Sequence, residues 1–325
     1  MPDTKIAKRD FSRIGMALFV IGIVTTVLQV LFSVLWNIFT INSPIATAEW
    51  ATWILTFAPM YLIAVPIGIA MMRRVPVESQ QPSKLSGKRF WSLMVMCLPV
   101  MYIGNIIGTL LSFILSGGTA ENALLTMIDG NLLYTFVFAV LVAPVVEEYI
   151  FRKQIIDRLG KHGEKTAILF SALTFGLFHM NLFQFFYAFG LGVLFAYVYI
   201  RTKKLQYPIL MHMLINFQGS ILAPWVISKL DVEALEQLTA GEFDTSLLIE
   251  MLPGLSVYLI YSVLLMAGVV VGLILLINSW KKRQIHPAAQ PVSVKTVWCN
   301  VGMILFTIFC VLMSLFSLFS ALLLA

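Results

Sequence analysis

Two adjacent glutamates, Glu147 and Glu148, close an apolar run from Leu141 to Val146, where a membrane helix ordinarily carries no charge. An ionisable side chain in hydrocarbon is costly, so its presence points to function and calls for a partner. Three partners lie downstream. Arg152 follows Glu148 by four residues, His179 ends the stretch Phe175-Gly176-Leu177-Phe178, and His212 precedes Asn216 by four. Residues four apart share a helix face, whereas neighbours diverge by about 100°. Glu148 and Arg152 can therefore pair, which leaves Glu147 turned toward another helix. A histidine changes charge near neutrality and has two distinct ring nitrogens, so it can move protons or ligate metal. His212 and Asn216 can both donate hydrogen bonds from one face, as a developing oxyanion requires. Pro144, three residues before Glu147, removes a backbone donor and favours a kink beside the carboxylates.

The elements that must hold these groups are read from hydropathy. The 325 residues are 59% hydrophobic and 12% charged, and several stretches exceed the roughly 18 apolar residues that argue for a spanning helix. The segments lack the alternation of barrel strands. The expectation is an all-α polytopic transmembrane bundle of nine spans: Ile14–Phe39, Trp50–Met72, Phe90–Leu115, Leu132–Phe151, Thr166–Met180, Gln184–Ile200, Tyr207–Ile227, Gly254–Ser279 and Val297–Leu324. The first is too long for a signal-peptide core and reads as an uncleaved anchor. Ala188, Gly192 and Ala196 form a small-residue stripe suited to close helix packing.

Loop charge alternates. The N-terminus and the loops 73–89, 152–165, 201–204 and 281–295 are basic, whereas Leu230–Glu250 is acidic apart from its apolar Val232, Leu235 and Leu238, which suit a short surface helix. The positive-inside rule then places the N-terminus in the cytosol. The net charge of +6 is a topology signal and implies no nucleic-acid partner. Cys97, Cys299 and Cys310 lack metal spacing and read as packing residues. Residues 1–89 read as a two-span hairpin with its linker, 90–228 as a membrane core holding the polar groups, and 229–325 as the acidic outer loop with two further spans. The Pro287 and Pro291 segment, Gln284–Lys295, links the last two spans.

The ordered set Glu147-Glu148-x-x-x-Arg152, Phe175-x-x-x-His179 and His212-x-x-x-Asn216 resembles the three motifs of the CAAX protease and bacteriocin-processing family. This is also called the Abi family of intramembrane endopeptidases and includes the type II CAAX prenyl endopeptidases. Phe151-Arg152 and Phe175-Gly176-Leu177-Phe178-His179 agree with its style, whereas Lys153 stands where the family usually has glycine. The resemblance covers about residues 130 to 220. It implies a membrane peptidase in which Glu147 and His179 activate a water, His212 and Asn216 stabilise the oxyanion, and Glu148 with Arg152 forms a supporting ion pair. The family is often labelled metalloprotease, and Glu147, His179 and His212 could ligate zinc. No His-Glu-x-x-His occurs and Asn216 is a poor zinc ligand, so the reading favours metal-free catalysis without a cofactor.

The function expected is hydrolysis of a membrane-associated peptide or protein, by an enzyme of the cell membrane with its site open to the cytosol. The rivals are a non-catalytic scaffold or immunity partner of a sensor kinase or transporter, and a proton-coupled transporter. The latter usually shows paired repeats, and none is present in the sequence. One geometric condition follows. Glu147 and His212 fall near the cytosolic ends of their expected spans, whereas His179 falls about 20 Å from the cytosolic end of its own. They meet only if the arm Thr166–Met180 starts in the cytosol or stops inside the bilayer.

Overall fold

Backbone groups in hydrocarbon must find partners within their own segment, so long apolar runs fold as helices. A computed structural model of the chain describes residues 2–77, 81–120, 122, 130–231, 234, 245–280, 285 and 292–323, and these form helices and turns with no strand. The helices are α1 (Pro2–Thr40), α2 (Glu49–Met72), α3 (Gly87–Ser116), α4 (Leu132–His162), α5 (Glu164–Phe178), α6 (Leu182–Thr202), α7 (Gln206–Ile227), α8 (Thr245–Trp280), a short α9 (Val294–Trp298) and α10 (Val301–Leu323). Most of Leu230–Glu250, with Val232, Leu235 and Leu238, and of Gln284–Lys295, with Pro287 and Pro291, lies outside the described residues.

Among the described residues, eight helices are long and apolar enough to cross a membrane. The ninth expected span, Thr166–Met180, is α5. At 15 residues it falls short of the roughly 17–25 that a bilayer requires. It ends at Phe178 with His179 as its C-cap, Met180 follows in a left-handed conformation with φ 49°, and the side chain of Asn181 caps the first turn of α6. The hairpin α5–α6 therefore turns after a short arm.

A second expectation needs correction. The fourth span does not stop at Phe151: α4 runs 31 residues to His162. Its polar tail looks like a loop in sequence but is buried in protein. Arg158 donates to the carbonyls of Met72 (2.8 Å) and Gln154 (3.0 Å), and Asp157 accepts from the Tyr199 hydroxyl and pairs with Lys153 (3.0 Å). Glu147 thus lies mid-helix, about as far from the His162 end of α4 as His179 lies from the start of α5. This extension, together with the short α5, lets the two groups lie at one level of the bundle.

Loops that read as basic gather at one end of the bundle. There Arg13 donates to the Arg74 carbonyl (3.2 Å), Ser83 to the Arg201 carbonyl (2.6 Å), and Lys161 pairs with the buried Asp10 (2.9 Å). Helix α6 is the central post, packed against α3 and α5. A Cβ on Gly192 would meet Ala172 Cα at 3.1 Å, and one on Gly104 would meet Tyr187 Cα at 2.5 Å. The small-residue stripe of α6 therefore serves packing. Helix α1 packs along α10, where the Gly302 N–H donates to the Ser12 hydroxyl (3.2 Å), and α8 lies along α3 with most of its apolar surface exposed.

Candidate active site

The centre of the site is Arg152, wholly buried with Glu148. Their spacing of one helical turn lets the guanidinium meet the carboxylate in two hydrogen bonds, Nε to Oε2 at 2.7 Å and Nη2 to Oε1 at 3.2 Å. Such a fork is the strong form of the ion pair. The third nitrogen, Nη1, donates to the Ser171 hydroxyl at 2.8 Å, and Ser171 donates to the Phe151 carbonyl at 2.7 Å. The Phe175 ring lies 4.8 Å from the guanidinium carbon, the Phe195 ring 5.8 Å. Cation–π contact and a hydrogen bond at each of the three nitrogens together offset the cost of burying this charge.

Glu148 also reaches the third motif. His212 Nδ1 lies 3.0 Å from Glu148 Oε1. A carboxylate held by arginine accepts, so Nδ1 carries the hydrogen and Nε2 is left to act. That nitrogen lies 3.8 Å from Glu147 Oε2. The His212 ring is packed between Phe175 and Phe195, at centroid distances of 5.7 and 5.4 Å. Glu148 therefore supports both Arg152 and His212, a second role that helical spacing within α4 could not reveal.

Glu147 stands apart from this network. Its side chain is 16% exposed, against none for Glu148. Among the described residues its carboxylate forms no hydrogen bond and has the His212 nitrogen as its near neighbour. Its charge reaches His179 on α5, Tyr187 on α6 and Tyr61 on α2. The structure thus groups Glu147, Glu148, Arg152, His179 and His212.

His179 caps α5, its Nδ1 2.8 Å from the Phe175 carbonyl. A carbonyl only accepts, so Nδ1 carries the hydrogen and Nε2 keeps a lone pair. Asn216 stands one turn beyond His212, and its Nδ2 donates to the Ala139 carbonyl at 2.8 Å. This bond has a sequence origin. Residues Thr135–Val142 form a π-helical stretch, in which Ala143 N–H pairs five residues back with Phe138. The next donor in that register belongs to Pro144, which has none. Asn216 supplies it from α7 and keeps a second N–H.

Ser171, Phe195, Tyr187 and Tyr61 were not among the candidates read from sequence. Ser171, Phe175 and His179 stand four apart on one face of α5, a helical signal that could have flagged Ser171. Tyr61 is far away in the chain and only tertiary structure brings it here. Among the described residues no three His, Cys, Asp or Glu side chains converge as a metal-ligand set. Glu147, His179 and His212 are neighbours without forming such a cage.

Fold and site together define a polytopic membrane protein enclosing a carboxylate–histidine centre. Comparison with known proteins supplies the family. Residues 129–218 match the family model described as type II CAAX prenyl endopeptidase Rce1-like. The chain is 30% identical over 188 residues to the membrane-embedded CAAX protease MroQ of Staphylococcus aureus (strain USA300), an alignment covering 55% of this chain and 72% of that protein. It is 28% identical over 166 residues to YdiL of Bacillus subtilis (strain 168), whose name proposes a membrane peptidase; here the coverage is 48% of this chain and 66% of YdiL. No solved structure matches. The chain belongs to the Rce1-like family of CAAX proteases.

Proposed function

We propose that this protein is an intramembrane endopeptidase of the cell membrane, with its site opening to the cytosol, acting on a membrane-associated peptide or protein by metal-free hydrolysis. The observation that carries the reading is the contrast within one glutamate pair. Glu148 is saturated by Arg152 and His212, whereas Glu147 keeps its lone pairs and some exposure. A base must have an unengaged lone pair within reach of water.

Glu147 takes a proton from water as the oxygen attacks the scissile carbonyl carbon, and the carbonyl electron pair moves onto oxygen. His179 shares the water through Nε2. Asn216, through its second N–H, and His212, through Nε2 once that nitrogen is protonated, donate to the oxyanion. Glu147 then returns the proton to the departing nitrogen as the C–N bond breaks, which yields a carboxylic acid and an amine, and the acid's proton passes to the amine or to solvent. Glu148 and Arg152 hold His212 in register.

Comparative peptidomics of membranes carrying wild-type or Glu147→Ala protein tests the reading: peptides should accumulate uncut in the variant. Identical peptide pools would refute hydrolysis and favour a scaffold. Purified protein should keep its activity in EDTA. Complete loss, restored by zinc, would move Glu147, His179 and His212 into ligand roles.

A further inference from the structure

Among the motif residues the hydrolytic scheme has a single unengaged neutral donor, the second N–H of Asn216. Asn216 holds one N–H on the Ala139 carbonyl. Neutral His212 presents its hydrogen to Glu148 through Nδ1, so its Nε2 can donate only after taking up a proton. Neutral His179 directs its hydrogen at the Phe175 carbonyl. The tetrahedral intermediate carries a full negative charge on its oxygen, and preorganised donors are the main means of stabilising it.

Helix α2 brings such a donor. Trp53, Phe57 and Tyr61 recur every four residues and lie on one face. Trp53 and Phe57 stack on Phe138 of α4, at centroid distances of 5.6 and 5.4 Å, and Phe57 packs on Tyr61 at 5.4 Å. This ladder runs along α4 toward Glu147. At Tyr61 the backbone of α2 changes register. Residues Pro59–Ala64 form a π-helical stretch, with Val65 N–H bonded five residues back to Met60. Such stretches re-aim side chains and are frequent at functional sites. The result is a phenol whose Oη is buried and has no hydrogen-bond partner among the described residues. It lies in the field of Glu147. Tyr187, the other phenol facing Glu147, is engaged with Gln184. An unpartnered buried hydroxyl is costly in a purely structural role, and the groups that keep such a cost in native proteins call for an explanation.

We infer that Tyr61 is a further catalytic residue, whose phenol O–H donates a hydrogen bond to the oxyanion of the tetrahedral intermediate formed when Glu147-activated water attacks the scissile carbonyl. This rests on the peptidase reading above. The proton stays on Tyr61 throughout, so the hydrolysis balances as written. Tyr61 lies outside residues 129–218, the region matching the family model. The N-terminal hairpin thereby contributes to the site as well as to its packing.

The test uses full-length protein in proteoliposomes. Its probe is the most abundant peptide whose cleavage is lost in Glu147→Gln membranes. Tyr61→Phe should lower kcat by roughly 10²–10³-fold, with KM unchanged. Its melting temperature should not fall, because the hydroxyl removed has no structural partner. Trifluorotyrosine at position 61, which restores an O–H, should recover activity relative to phenylalanine, and a structural role would not produce this rescue. Wild-type kcat in Tyr61→Phe overturns the inference. If Tyr61→Phe does not fold, the trifluorotyrosine protein decides: a kcat equal to wild type across the pH range in which the acidified phenol ionises overturns it, and a loss of activity on that ionisation supports it. If Glu147→Gln leaves every peptide unchanged, the peptidase reading itself falls, and this inference falls with it.

Discussion

The bundle holds two clusters of buried charge that use the same residue types to different ends. At the basic end, Asp157 accepts from the Tyr199 hydroxyl at 3.1 and 3.0 Å and pairs with Lys153 at 3.0 Å and Lys203 at 3.6 Å. Asp10 pairs with Lys161 and His162. Each carboxylate there meets cations from more than one position, and the pairs fasten α1, α4 and α6 together. Burial pulls the Lys203 ammonium below its ordinary pKa, against the opposing pull of Asp157. Between α4, α5 and α7, Glu148 is just as saturated, yet the adjacent Glu147 is left without a hydrogen bond among the described residues. What separates a staple from the proposed reactive centre is one unengaged carboxylate held in place by an engaged one. Burial and charge alone do not make that distinction.

Breaking that contrast should have its largest effect at Glu147. Glu147→Gln keeps shape and volume but removes the proposed base, so hydrolysis should fall by about 10²–10⁴-fold with the melting temperature unchanged; unimpaired turnover would place the chemistry elsewhere. Arg152→Ala should act first on folding. It leaves Glu148 buried without its cation, a change that costs about 3–5 kcal/mol, so activity and thermal stability should drop together. A folded, fully active Arg152→Ala protein would show that the pair is dispensable. Asn216→Ala sharpens the comparison, because in the proposed scheme Asn216 serves both structure and chemistry. Loss of the bond to Ala139 should cost about 1–3 kcal/mol, and kcat should fall beyond what the folded fraction explains; a rate loss matching the unfolded fraction would confine Asn216 to packing. Asp157→Asn should be milder, since the amide still accepts from Tyr199, and should lower stability while leaving kcat of the folded protein intact. A large kcat defect there would erase the distinction between the two clusters. The smallest perturbation concerns orientation. In a cysteine-free background, a membrane-impermeant thiol reagent applied from the cytosol should reach a cysteine at Ser86 and spare one at Thr239, and the reverse pattern would invert the proposed topology.

Helical spacing made much of the site legible. Glu148 and Arg152 stand one turn apart, and the predicted pair forms with both side chains fully buried. Pro144 announced an orphaned carbonyl, because proline lacks a donor in any fold. Hydropathy and loop charge announced a polytopic helical bundle, because composition alone decides whether a segment can lie in hydrocarbon. Tertiary structure decided the rest, since each remaining feature depends on what another helix presents. The tail of α4 reads as a charged loop, and only Met72, Tyr199 and Lys203 make it a buried helix. The span count turned on α5, whose 15 residues bring His179 to the depth of Glu147. Sequence paired Glu148 with Arg152, but α7 adds His212 to that carboxylate, and α2 delivers Tyr61 from 86 positions before Glu147. Local periodicity fixes which residues share a face of one helix. It carries no information on which face of a distant helix will meet them.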